Sequence, residues 1–248
     1  AWMQKGAQMS DPLIELQNVT LRRSADQPAV LHNASLQLFE HERLALRGAN
    51  GVGKTSLLWL LVGLLYPEEG QVVAFGQVRL READFQSIRG RVGLLFQDSD
   101  DQLFCPTVLE DVAFGPLNLG CTRHEAVELA ENTLERLGLT GFEQRITHRL
   151  SGGQKRLVAL AAVLAMKPEV LLLDEPTTGL DQNVKETLIR ILNELRITCL
   201  VISHEFDFLN AVTDKVYSME KGNILTDTDI YLHRHEHVHK HGRHPHVH

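Results

Sequence analysis

The sequence predicts an α/β fold: a mostly parallel sheet flanked by helices, with an antiparallel β layer near the N-terminus and a helical subdomain inserted in the middle. Three observations predict it. Short apolar runs at Arg43–Leu46, Val92–Phe96, Val170–Leu173 and Thr198–Ile202 have the length and continuity of buried parallel strands. Stretches with apolar residues at helical spacing lie between them. Each run also ends in glycine or polar residues, namely Gly48, Gln97, Asp174-Glu175 and Ser203-His204, and ligands meet an α/β sheet at the carboxyl ends of its strands.

In chain order, Pro12–Leu21 alternates apolar and polar residues through Leu13, Ile14, Leu16, Val19 and Leu21, and Ala34–Phe39 does so through Leu36 and Leu38. Both read as half-exposed strands of an antiparallel layer. After Thr55 the residues Leu57, Leu58, Leu61, Leu64 and Leu65 give a helix that Pro67 and Gly70 end, and Gln71–Phe75 begins a further strand. Ala126, Leu129, Ala130, Thr133, Leu134 and Leu137 share one face of an inserted helix over Arg123–Leu137. Another helix opens at Leu150-Ser151-Gly152-Gly153-Gln154 and runs through Met166, with Pro168 separating it from the next strand. No internal repeat is visible.

Composition bounds the function. A net charge of −7 with scattered acidic residues argues against nucleic acid as the main partner. A hydrophobic content of 43% without an uninterrupted apolar run of membrane-spanning length suits a soluble chain. Cys105, Cys121 and Cys199 are odd in number and lack metal-ligand spacing, which suits a reducing compartment, and Cys199 reads as a core residue. Residues 1–9 show no secretory leader and carry no functional weight here.

Gly48-Ala49-Asn50-Gly51-Val52-Gly53-Lys54-Thr55 matches G-x-x-x-x-G-K-[ST] between a strand and a helix, the context of a phosphate-binding loop. Its glycines let successive N–H groups point at phosphate oxygens, and the helix behind adds its positive end. Lys54 is then the candidate for the β- and γ-phosphates and Thr55 for magnesium. Asp174 and Glu175, two adjacent carboxylates closing a buried strand, are costly unless a cation is near.

With Gln97 upstream, Leu150–Gln154 in the middle and Asp174-Glu175, Asp181 and His204 downstream, the chain from about Pro12 to Leu225 resembles the ATPase subunit of an ATP-binding-cassette (ABC) transporter. The resemblance implies a phosphate-loop ATPase domain over residues 10–225, with a nucleotide-binding core at 10–97 and 167–225, a helical subdomain at 98–166 and a histidine-rich tail at 226–248. It implies ATP held by Gly48, Asn50, Gly51, Gly53, Lys54, Thr55 and Ser56, and Mg2+ faced by Thr55, Gln97 and Asp174, partly through water. Glu175 is implied as the general base, with His204 and Lys54 at the γ-phosphate. Ser151, Gly153, Gln154 and Asp181 are implied to act across a dimer on the partner's ATP, although Ser151 equally reads as a helix N-cap.

One departure stands out: where the family places an aromatic residue to stack on adenine, this chain has Arg22 and Arg23. Arg23 offers a planar guanidinium instead, and weak discrimination between ATP and GTP is expected. The segment from Phe96-Gln97-Asp98-Ser99-Asp100-Asp101 through Asp111-Val112-Ala113-Phe114-Gly115-Pro116 looks like the energy-coupling-factor group, notably its cobalt and nickel ATPases, which typically read Asn-Pro at Asp98-Ser99. That likeness implies a second ATPase subunit, an integral-membrane coupling subunit, a substrate-binding membrane subunit, and residence on the cytoplasmic face of the membrane. Eight histidines in the last sixteen residues, His233, His235, His237, His239, His241, His244, His246 and His248, suit nickel, cobalt, copper or zinc. A metal-buffering or sensing tail and a passive one both remain open at this point. A soluble nickel-delivery GTPase would need an Asn/Thr-Lys-x-Asp guanine motif, which is missing, and a vitamin importer of the same group is opposed only by the tail.

Overall fold

A computed structural model describes residues 11–24, 26 and 28–226. Along the chain these form β1 (Ile14–Leu21), β2 (Leu31–Leu38), β3 (Arg43–Gly48), α1 (Lys54–Leu61), β4 (Glu69–Ala74), β5 (Gln77–Arg79), α2 (Glu82–Gln86) and β6 (Val92–Leu95). Then come α3 (Val108–Asn118), α4 (Arg123–Arg136), α5 (Gly152–Leu164), β7 (Val170–Asp174), α6 (Gln182–Leu195), β8 (Thr198–Ile202), α7 (Phe206–Val212), β9 (Lys215–Glu220) and β10 (Asn223–Thr226).

Two sheets result. The smaller one is antiparallel with order β2-β1-β4-β5, and the larger has order β10-β9-β3-β8-β7-β6, all parallel except for β10. The alternation of a strand divides the large sheet's side chains between two cores. Leu44, Leu46, Leu172 and Leu200 face α1 and the antiparallel sheet, joining Leu16, Leu38, Leu57 and Leu61. Ala45, Leu171, Leu173 and Val201 face the opposite way and join Leu160, Leu188 and Phe208 from the later helices. Leu46, Leu172 and Leu200 are fully buried, each worth roughly 1.5–3 kcal/mol of transfer free energy.

α1 ends at Leu61, well before Pro67. Gly63, at φ +72°, stops it: the Gly63 N–H reaches Leu60 O and the Leu64 N–H reaches Trp59 O, the paired bonds of a left-handed helix stop. Any side chain at Gly63 would also collide with the Phe85 ring, 2.2 Å from an ideal Cβ. Leu64 is consequently half exposed rather than part of the helical face.

α3, α4 and α5 lie between β6 and β7. Thr107 and Glu110 cap α3 reciprocally, and Thr122 and Glu125 do the same for α4. Buried Asp111 ties the lead-in to α3: its Oδ1 accepts from the Phe104 and Cys105 N–H groups at 3.0 and 2.9 Å, and its Oδ2 from the Thr147 hydroxyl at 2.9 Å. Cys199 is a core residue, as expected. The histidine run at 233–248 lies outside the described residues, and among those no helix is long and apolar enough to cross a membrane.

Candidate functional site

The large sheet brings its strand ends to one level. Leu46 of β3 and Asp174 of β7 both pair with Ile202 of β8, so the segments Gly48–Thr55, Glu175–Thr178 and Ser203–Glu205 leave the sheet side by side. From β3 the chain curls through Gly48, Asn50, Gly51 and Gly53 into α1, whose first residue is Lys54. Gly53 sits at φ +115°, where a Cβ would meet Val30 O at 2.6 Å, so only glycine fits there.

Lys54 Nζ donates to Gly48 O at 2.7 Å and Ala49 O at 3.0 Å, which places the ammonium directly over the loop. Burial lowers its pKa, while Glu175 and Asp174 raise it. Thr55 stands beside Asp174, whose carboxyl is pushed up chiefly by burial and held back by Thr55, Lys54 and Arg156. Ser56, fully buried, accepts two bonds from Arg23, from Nε at 3.2 Å and Nη2 at 2.8 Å. Arg22 instead approaches Glu68 at 3.8 Å on the surface.

Glu175 follows β7 with φ +45°, a left-handed conformation uncommon away from glycine, held by its N–H bonding Ile202 O at 2.9 Å. Its carboxyl is raised first by burial; His204 and Lys54 oppose the shift and Asp174 adds to it. His204 Nε2 lies 2.8 Å from Asn50 Oδ1 and 3.2 Å from Glu175 Oε1, so residues 154 positions apart converge. Glu175 Oε1 and Thr177 Oγ1 are buried and have no hydrogen-bond partner among the described residues. Two unsatisfied acceptors beside a lysine, a Thr–Asp pair and a glycine cradle form a donor and acceptor set suited to a nucleotide phosphate, a hard divalent cation and a water.

Gln97 enters the same region from β6. A cleft of about 690 Å³ is lined by Gln97, Thr55, Asp174, Arg156, Gly152 and Gly179 among others. Buried Arg156 donates to the main-chain oxygens of Phe96 and Gln97. Sequence reading missed Arg156 and Thr177, since a basic residue on a helix and a threonine after proline carry no signal of burial by themselves. Ser151 and Gln154 cap α5 reciprocally, Ser151 Oγ accepting from Gln154 N–H and Gln154 Oε1 from Ser151 N–H. Asp181 caps α6 by accepting from Val184 N–H at 3.0 Å, and Gly153 packs near Val184. A second cavity, of about 460 Å³, opens at the opposite, amino-terminal end of β7 and β8 among Leu13, Leu137, Leu164 and Ile191, away from these groups.

The chain is similar to known proteins. The model of the ABC transporter family matches residues 31–178. An ABC transporter ATP-binding protein of Brucella suis is 51% identical over 86% of this chain and 88% of its own length. The energy-coupling factor transporter ATP-binding protein EcfA of Methanothermobacter thermautotrophicus is 42% identical over 87% of this chain and 70% of its own. Among solved structures, cbiO1 of Clostridium perfringens, described as part of the ABC transporter complex cbiONQ, superposes with a TM-score of 0.77 at 32% identity, covering 87% of this chain and 88% of that one. A dimeric ATP-binding cassette bound to ADP and Pi gives a TM-score of 0.79 at 25% identity, over 88% of this chain and 98% of that one.

Proposed function

The chain belongs to the ABC transporter family of ATP-binding subunits, and from that premise we propose that it drives an energy-coupling-factor importer for nickel or cobalt by ATP-dependent dimerisation. The convergence of Asn50, Glu175 and His204 on the loop, with Thr55 and Asp174 lining one cleft, carries the catalytic part of the reading. Lys54 and the amides of Gly51, Gly53 and Thr55 hold the phosphates of ATP, and Ser56 sits beside them. Thr55, Gln97 and Asp174 hold Mg2+, which when bound supplies positive charge to the β- and γ-phosphate oxygens. Glu175 Oε1, unpartnered and facing His204, takes the proton of the attacking water, and His204 orients that water and the γ-phosphate.

Ser151, Gly153, Gln154 and Asp181 act on the ATP of a second copy of the subunit, so hydrolysis requires a homodimer. The helix-capping bonds of Ser151 and Asp181 hold both residues at helix N-termini, the polarity an anion needs. Residues 10–97 and 167–225 make the nucleotide core and 98–166 the helical subdomain. Phe104 and Phe114 stack edge to face at 4.8 Å while 65% and 44% exposed, an apolar surface suited to a helix of the integral-membrane coupling subunit, beside which a substrate-binding membrane subunit would sit. The subunit thereby resides on the cytoplasmic face of the membrane.

Nickel or cobalt as cargo is supported by the segment 96–116 and by His233, His235, His237, His239 and His241. The test is nickel and cobalt uptake in cells whose only copy of this subunit is Glu175→Gln, beside cells lacking residues 227–248. Uptake lost in the first strain supports the reading. Metal uptake that survives Glu175→Gln overturns the mechanism, and unchanged metal binding and transport in the second strain remove the role of the tail.

A further inference from the structure

The N-terminal turn of α5 holds the Gln97 loop by two adjacent residues. Arg156, only 4% exposed, donates from Nη1 to Phe96 O and from Nη2 to Gln97 O. Lys155 Nζ reaches Asp100 Oδ1 at 2.5 Å. Arg156 is a costly residue to bury here: burial presses its pKa down, Asp98 and Asp174 oppose that, and its Nε has no hydrogen-bond partner among the described residues. A residue serving only to fill the core would be cheaper as leucine or methionine. What a planar guanidinium adds is a fork that grips two consecutive carbonyls and fixes the peptide between them.

That peptide sets the direction in which Gln97 leaves β6. Gly152 stands one helical turn before Arg156 and borders the same cleft as Gln97, Thr55 and Asp174. α5 is a continuous helix from Gly152 to Leu164, so a displacement of its first residues carries the guanidinium with it.

We propose that Arg156 is a positioning residue that, assisted by the Lys155–Asp100 pair, straps the Gln97 loop to the helix beginning at Ser151–Gln154. Engagement of Ser151 and Gly153 by the partner's ATP then sets Gln97 in this subunit's own site, which links the two hydrolysis events. The inference rests on the proposed dimer, and the strap and the dimer fail in different measurements.

The experiment uses full-length protein in the Glu175→Gln background, where ATP stays bound, with dimerisation followed by sedimentation and backbone protection by hydrogen exchange. ATP should produce a dimer and protect both 48–57 and 96–101. Adding Arg156→Met should keep the dimer and the protection of 48–57, and reduce that of 96–101 at least fivefold. With Glu175 intact, Arg156→Met should lower kcat about tenfold with KM for ATP within twofold, and Arg156→Lys should recover part of it. Equal protection of 96–101 with and without Arg156 overturns the strap. Should Arg156→Met fail to fold, Arg156→Lys, which keeps the charge and loses the two-pronged grip, decides: weakened protection of 96–101 supports the strap, and protection equal to that with Arg156 overturns it. A Glu175→Gln protein that stays monomeric with ATP defeats the dimer reading, a result distinct from either.

Discussion

Glu175→Gln should have opposite effects on two measured quantities. Removing the proposed general base is expected to cost roughly 10²–10⁴-fold in the rate of hydrolysis. The same change should stabilise the nucleotide-free protein. Glutamine keeps an acceptor oxygen in the place of Oε1 but removes the negative charge of a residue only 9% exposed, and burying such a charge without full pairing costs about 1–3 kcal/mol. The charge contact with His204, 3.2 Å away but made by a half-exposed imidazole, returns only about 0–1 kcal/mol. The net is roughly 0–3 kcal/mol, centred on about 1.5 kcal/mol, which at roughly 2–4 °C per kcal/mol for a chain of this size raises the melting midpoint by roughly 3–6 °C. The sign follows from linkage. Glu175 is raised above its ordinary 4.5, so in the window above 4.5 the folded state binds more protons than the unfolded one and loses stability as pH rises. The advantage of glutamine should therefore be full near pH 7.5 and shrink as pH falls toward 4.5. Differential scanning fluorimetry of both proteins across that range, with phosphate release at pH 7.5, tests it. A variant that melts below wild type at pH 7.5, or that retains more than about a tenth of the hydrolysis, refutes the reasoning.

Other outcomes follow from the same site. Hydrolysis by the wild-type protein should fall on acidification through a pKa above that of an ordinary glutamate, because burial holds the Glu175 proton, as a pH–rate profile of kcat will show. Arg23→Tyr should tighten the binding of ATP and GTP alike by about 5–10-fold, the range of roughly 1 kcal/mol of base stacking, and titration of each nucleotide against both proteins measures it; strong ATP selectivity in the wild type would count against a missing platform. Phe104→Ala should leave hydrolysis by the isolated subunit within about twofold while weakening its recovery on membranes that carry the partner at least tenfold, the loss expected for an aromatic anchor.

Much of this was legible in the sequence because the strands are short, apolar and closed by chemistry. Val170–Leu173 followed by two carboxylates, or Gly48–Thr55 between a strand and a helix, leaves few physical alternatives, and both sit where the spacing places them. The stop of α1 at Leu61 was not legible from Leu64 and Leu65, whose spacing continues the helix; the decisive contact is Phe85 against Gly63, a tertiary fact. α3 could have been found from the Thr107-x-x-Glu110 capping pair, and α6 from Asp181 preceding a run with Leu188, Ile191 and Leu192 on one buried face. β9 and β10 are strands of modest hydrophobicity at one side of the large sheet, where β9 pairs with β3 and the edge strand β10 pairs with β9. Arg23 could be singled out as the residue in the aromatic's place, but its bonds to Ser56, which tie the substitute to the cradle itself, depend on a contact 33 residues away.

The cross-strand register described above gives the site an unusual division of tolerance. Because Leu46, Ile202 and Asp174 stand in one row, main-chain pairing sets where Glu175 and His204 leave the sheet beside the loop that carries Asn50, and side-chain exchange at these positions leaves that pairing intact. A single deletion within Thr198–Ile202 is a different matter. It would draw His204 back by about 3.3 Å and turn it to the opposite side of the sheet. Sequence drift and engineering are therefore free to alter the chemistry at these positions one residue at a time, whereas changes of length are confined to the helices and turns on the far side of the sheet.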